Sequence, residues 1–171
     1  TQDPELLRFL RRYLNYLYEG YQTIGRLDSQ RWDITGTVEP NTNWGRGQSD
    51  GPAYIAQFVL AYVRLNHLKS LEEERKALLL LEGATDYILN QIENTYRFLF
   101  LDEKVGEHLD PRSHDLWEEF EGLHLHNYLL YYSVLHEVVK VIENGEEVAR
   151  VQRGLEVLER LFAELYETWP G

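Results

Sequence analysis

Apolar residues return every three or four positions along most of this chain, a spacing that admits helices and little else. Leu6, Phe9, Leu10, Tyr13, Leu14, Leu17 and Tyr21 share one face of a helix. Ile55, Phe58, Val59, Tyr62 and Val63 repeat the pattern. No strand-like alternation lasts beyond a few residues. The reading is therefore all-α, with about five helices in one domain spanning residues 1–171. Local signals place the boundaries. Asp3 and Pro4 read as a cap followed by a first-turn proline, and this helix ends near Gly25. SDGP opens a second helix at Pro52, running to about His67. A third runs from about Ser70 to Phe98, and a fourth from about Asp115 to Glu143 with an irregularity at Gly122. ENGEE is a turn, and a fifth helix runs from about Glu146 to Thr168.

Two connections stand out. Residues 26–51 are long, polar and rich in Asn, Gly, Thr and Asp, and loops of that length in compact domains are often functional. Residues 101–114 are charged and contain Gly106 and Pro111. Both lead into helix starts. In a stack of helical hairpins both could lie at one end, bringing Trp44, Arg46 and Asp50 toward Trp117 and Glu118.

Composition narrows the partners. The net charge of −12 disfavours nucleic acid and anionic membrane surfaces, which need clustered Lys and Arg. No apolar run reaches the length of a membrane span, and the start TQDPELLRFLRR has no apolar signal-peptide core. With no cysteine, disulfides and thiolate metal sites are excluded. Methionine is also absent from this leucine-rich chain, which fits an edited or redesigned sequence. The 12 Tyr and 4 Trp offer flat faces with polar tips, suited to sugar rings and equally to helix packing.

The stretch SHDLWEEFEGLHLH concentrates chemistry. An aromatic beside a glutamate is the neighbour that a protonated general acid needs, because burial disfavours the carboxylate. Glu118 and Glu119 cannot themselves be a facing pair, since consecutive helical residues diverge. Asp115-x-x-Glu118 also reads as a capping box, and acids suit the first turn of a helix. Spacing alone favours the cap. His124 and His126 are two apart, whereas helical metal pairs sit four apart, so no metal is expected. No serine nucleophile elbow, phosphate loop or dinucleotide fingerprint occurs.

The second chemical stretch changes the balance. WGRGQSDGPA, residues 44–53, resembles the Trp-Gly-Arg-Pro-Gln-x-Asp-Gly-Pro-Ala segment of glucoamylases, glycoside hydrolase family 15. DLWEEFEG, residues 115–122, resembles their Asp-Leu-Trp-Glu-Glu-x-x-Gly segment, and RWDITG resembles their run-in to the first motif. The resemblance covers roughly residues 26–135. It implies an (α/α)6 barrel, of which five helices would be a section, either excised or redesigned. It implies inverting release of glucose from the non-reducing ends of α-1,4-glucans, so the expected partner is an α-glucan or maltooligosaccharide. No cofactor is implied, and family members are often secreted.

Carried over by position, Glu118 matches the general acid and Glu119 a carboxylate that binds substrate hydroxyls. Trp117 matches the aromatic packed on the acid, and Trp44 an active-site tryptophan that contacts sugar. Gly45 and Arg46 match the adjoining turn and arginine. Gln48 and Asp50 match positions that shape the site, with Asp115 in support. Gly47 stands where the family has proline, and Pro40 falls near where it tends to have an aromatic. Residues 1–43 contain no match to the family's Trp-x-Arg-Asp segment, and the family's general base lies beyond the matched region. Asp33, Asp50 or a second copy of the chain would have to supply that base. A non-catalytic helical scaffold or weak sugar binder is the alternative reading.

Overall fold

The computed structural model describes residues 3–25, 27, 49–66, 70–101, 113–114 and 121–168. Five helices account for nearly all of them: α1 (Pro4–Ile24), α2 (Gly51–Asn66), α3 (Leu71–Phe100), α4 (Leu125–Val138) and α5 (Gly145–Thr168). Two short strands, β1 (Ser113–His114) and β2 (Glu121–Gly122), pair antiparallel between α3 and α4. The fold is all-α. It divides into two compact units, Thr1–Asp86 and Tyr87–Gly171, with the division inside α3.

Most helix ends form where local chemistry demands. The Asp3 carboxylate accepts from the Glu5 amide at 2.8 Å, and Pro4 follows it in the first turn. α1 stops at Gly25, whose φ of 74° is a left-handed conformation that glycine adopts at little cost. Ser70 Oγ accepts from the Glu73 amide at 3.2 Å, and Glu72, Glu73 and Glu74 place negative charge on the positive end of α3. Asn144 Oδ1 accepts from the amides of Glu146 and Glu147 at 2.9 and 3.4 Å, starting α5.

In the first unit, Leu14 and Leu17 of α1 meet a core of Ala53, Ile55, Ala56, Val59, Leu60 and Tyr62 from α2. Tyr13 sets its ring edge-on to Phe58 at 4.8 Å. The N-terminal half of α3 adds Ala77, Leu80, Leu81 and Ala84. Fully burying such a leucine stabilises by roughly 1.5–3 kcal/mol. Gly83 lets α1 come close, because a β-carbon there would lie 2.7 Å from the Tyr21 hydroxyl oxygen. Polar links fasten the rim of the same contact. Lys76 reaches Asn15 Oδ1 and Glu72 Oε1, each at 2.8 Å. Arg11 Nε lies 2.8 Å from Glu73 Oε1, although its N–H direction misses the carboxylate, so this is an ion pair without an aligned hydrogen bond. The expected α1 stripe is real, but Leu6, Phe9 and Tyr13 are exposed.

The second unit is built from the C-terminal half of α3 with α4 and α5. Ile88, Leu89 and Ile92 of α3, Tyr131, Val134, Leu135 and Val138 of α4, and Val151, Leu155, Leu158 and Leu161 of α5 form its core. The α5 residues recur at the three-to-four spacing that keeps one face inward. Gly154 lies on that face, where a β-carbon would sit 2.5 Å from Leu89 Cδ2. Thr95 Oγ1 donates to the Gln91 carbonyl at 2.7 Å. Its one proton is thereby used, so the Tyr128 hydroxyl, 2.9 Å away, is the donor in the buried pair they form.

One boundary corrects the sequence reading. The fourth helix does not begin at Asp115. Glu121 and Gly122 are strand, and α4 starts at Leu125 with His124 before it in extended conformation and making no side-chain cap bond. Asp115 is therefore not the cap of α4, and Gly122, where an irregularity within the helix was expected, is strand. α4 also ends sooner than Glu143, at Val138, where single turns follow.

Candidate functional site

Of the nine candidate residues, the described structure contains Asp50. Trp44, Gly45, Arg46, Gln48, Asp115, Trp117, Glu118 and Glu119 lie outside the described residues. So does the expected meeting of the two loops, and so does Asp33. What the structure does establish is how the segments carrying these residues are anchored.

The described residues flanking the first segment are Leu27 on one side and Ser49 and Asp50 on the other. Leu27, Ser49 and Asp50 are all buried, at 3%, 5% and 6% exposure, so both ends of the connection are held inside the first unit. The ends also meet: a β-carbon on Gly51 would lie 3.5 Å from the Leu27 carbonyl oxygen. Asp50 immediately precedes α2, and its carbonyl accepts from the Ala53 and Tyr54 amides at 3.0 and 3.2 Å. The sequence reading of SDGP as a helix start holds, with the first helical residue Gly51 rather than Pro52.

The second segment, Asp115–Phe120, joins β1 to β2. Ser113 lies opposite Gly122 and His114 opposite Glu121. Its ends are therefore tied by the ladder, which the sequence reading did not contain. Its only local trace was the glycine at 122, because a two-residue ladder is too short to leave a period-two pattern.

Other chemistry on the described surface is modest. Tyr96, Phe100 and Tyr128 line a crevice with Ile92, Leu158 and Leu161 that is too narrow for a water molecule. Burial pushes the Tyr128 phenol up to about 12, offset in part by the hydrogen bond that the Thr95 hydroxyl can turn to give the ionised phenolate. It therefore stays protonated near neutral pH and serves packing. Arg160 lies over the Phe100 and Tyr96 rings at 4.9 and 5.4 Å and donates to the Tyr96 oxygen at 3.0 Å. Among the described residues no group of three or more His, Asp or Glu is arranged to hold a metal. No helix among them is long and apolar enough to cross a membrane.

No family model matches the chain, and no solved structure matches it. Two glucoamylases of Saccharomycopsis fibuligera are each 28% identical to it over 158 residues. The match takes in 85% of this chain and 29% of each relative, so the chain spans less than a third of their length. The chain is thus distantly related to glucoamylases, a glycoside-hydrolase-like relationship that reaches across both units.

Proposed function

We propose that this chain carries the acid side of an inverting glycoside hydrolase that releases glucose from α-1,4-glucan ends. The observation that carries the reading is the distant relationship to glucoamylases over 85% of the chain. The Trp44–Ala53 and Asp115–Gly122 segments agree with it. Glu118 is the general acid. It gives its proton to the glycosidic oxygen as the bond to the anomeric carbon breaks, and Trp117 and Trp44 supply the apolar surface that keeps it protonated until then. Glu119 and Arg46 hold sugar hydroxyls, Gly45 and Gln48 shape the turn that presents them, and Asp115 supports the acid segment. Inversion needs a second carboxylate about 6.5–9.5 Å away, with a water between. Asp33, Asp50 or a second copy of the chain supplies it in this reading. The helices are a section of the family's barrel. They form one domain, supported by the unbroken run of α3 from Leu71 to Phe100 across the division at Asp86.

The test is maltooligosaccharide hydrolysis at mildly acidic pH. Glu118→Gln is expected to lower kcat by about 10²–10⁴, and the glucose released by the unaltered chain should appear first as the β-anomer. Equal rates for the two proteins would remove Glu118 from the reaction. A second reading, sugar binding without turnover, is favoured by the small share of the relatives that this chain spans. It predicts a saturable change of tryptophan fluorescence with maltose or acarbose, abolished by Trp44→Ala, in a chain that releases no glucose.

A further inference from the structure

We infer that the first half of α1 is a docking surface for a second copy of this chain, with the two helices antiparallel. Leu6, Phe9 and Tyr13 follow one another at intervals of three and four residues on that helix, and they are 51%, 63% and 40% exposed. Single exposed apolar side chains are ordinary, whereas a contiguous row of large ones marks an interaction surface. The row is also already ordered. The Phe9 and Tyr13 rings lie within 5° of parallel with centroids 6.4 Å apart, and Phe58 braces Tyr13 edge-on. A partner therefore meets rings that have little rotamer freedom left to lose.

Charge selects the partner. The chain carries a net charge of −12, so two copies repel each other overall. Residues 4–16 reverse the sign, with Arg8, Arg11 and Arg12 against Glu5. Glu5 and Arg12 are exposed and seven residues apart, so they share one flank of the apolar row. Among the described residues neither of their side chains has an ionic partner. Antiparallel helices bring like flanks together. Glu5 of one copy then meets Arg12 of the other, and the two-fold symmetry repeats the pair. The same register sets Leu6 against Phe9 of the second copy. The row thus complements itself in both apolar surface and charge.

The contact is small. At about 200 Å² per side chain, the exposed parts of the row sum to roughly 300 Å² per copy. Even with the charged flanks added, the pair lies at or below the roughly 1,200 Å² at which stable specific interfaces begin. The association is therefore reversible, with a Kd on the order of 100 µM.

Sedimentation equilibrium up to about 1 mM protein, at about 0.15 M salt where close ion pairs are still felt, tests this. Glu5→Arg and Arg12→Glu should each weaken the dimer about tenfold, because each turns both ion pairs into repulsions. An equimolar mixture of the two variants should recover the parent affinity, since each flank then faces its opposite. The double variant should recover it as well. Phe9→Ser should stay monomeric with unchanged far-ultraviolet helicity. Spin labels on Thr23→Cys, in a chain with no other cysteine, should lie about 45 Å apart in the dimer, as the antiparallel register requires. A parent chain that is monomeric at about 1 mM would overturn the inference. So would a mixture no tighter than its components, or a Phe9→Ser variant that associates like the parent. Labels closer than about 20 Å would mean parallel helices and would overturn the pairing of Glu5 with Arg12.

Discussion

Replacing Gly154 with alanine sets helix propensity against packing at a single atom. Gly154 is in the interior of α5, where alanine is favoured over glycine by about 0.9 kcal/mol. The new methyl would arrive 2.5 Å from Leu89 Cδ2, with Leu135 Cδ1 at 3.5 Å and Ile92 Cδ1 at 3.9 Å. Carbon atoms rest at about 3.5–4.0 Å, so only the Leu89 contact is violated, and Leu89 must retreat by about 1 Å. It has little room, because Leu89, Ile92 and Leu135 are all buried. Overpacking of this kind costs about 2 kcal/mol, the middle of its usual range. The net expectation is destabilisation by about 1 kcal/mol, or about 2–4 °C in Tm for a chain of this size.

Gly145→Ala is the control. Gly145 opens the same helix with nothing within 4 Å of a new β-carbon, so it should stabilise by a few tenths of a kcal/mol. Urea unfolding followed by circular dichroism at 222 nm measures both. A double-mutant cycle with Leu89→Ala identifies the clash. Removing Cδ2 should make Gly154→Ala stabilising, with a coupling of about 1–2 kcal/mol. If Gly154→Ala stabilises the parent as much as Gly145→Ala does, α5 does not approach α3 at this point and the packing argument is wrong.

Alkali should weaken the fold through Tyr128, whose phenol lies near 12 when folded against an ordinary 10. The folded chain keeps this proton longer, so the contribution is complete below pH 10 and is lost as pH rises from 10 to 12. The loss is on the order of 3 kcal/mol. Tyr128→Phe should reduce the pH slope of stability in that window by about 1.4 kcal/mol per unit, and equal slopes would refute the assignment. Asn144→Ala should cost about 1 kcal/mol by releasing the Glu146 and Glu147 amides. Thermal melts of Asn144→Ala and Asn144→Ser would check this, the serine variant losing little because its hydroxyl can still cap.

Four of the five helices begin or end within a residue or two of where the sequence places them, because their signals are contiguous. Asp3-Pro4, Gly25, Ser70 with its three glutamates, and Asn144 each act on amides or carbonyls a few positions away. The start of α4 was not legible for the complementary reason. Asp115 and Glu118 satisfy the local rule for a cap, but Glu121 and Gly122 are strand paired with His114 and Ser113, and a pairing across that distance is invisible to a rule spanning four residues.

The candidate site divides the same way. Its chemistry was written in two short strings of residues, because an acid, an aromatic and an arginine are identities rather than positions. That the segments are anchored at closed bases, Leu27 against Gly51 and β1 against β2, came from contacts between residues far apart in the chain. Burial shows the final limit. Helical periodicity put Leu6, Phe9, Tyr13, Leu14 and Leu17 on one face of α1, and only the packed structure decided that Leu14 and Leu17 are covered while the other three are not. Periodicity selects a face from one helix alone; burial depends on what the rest of the chain brings against it.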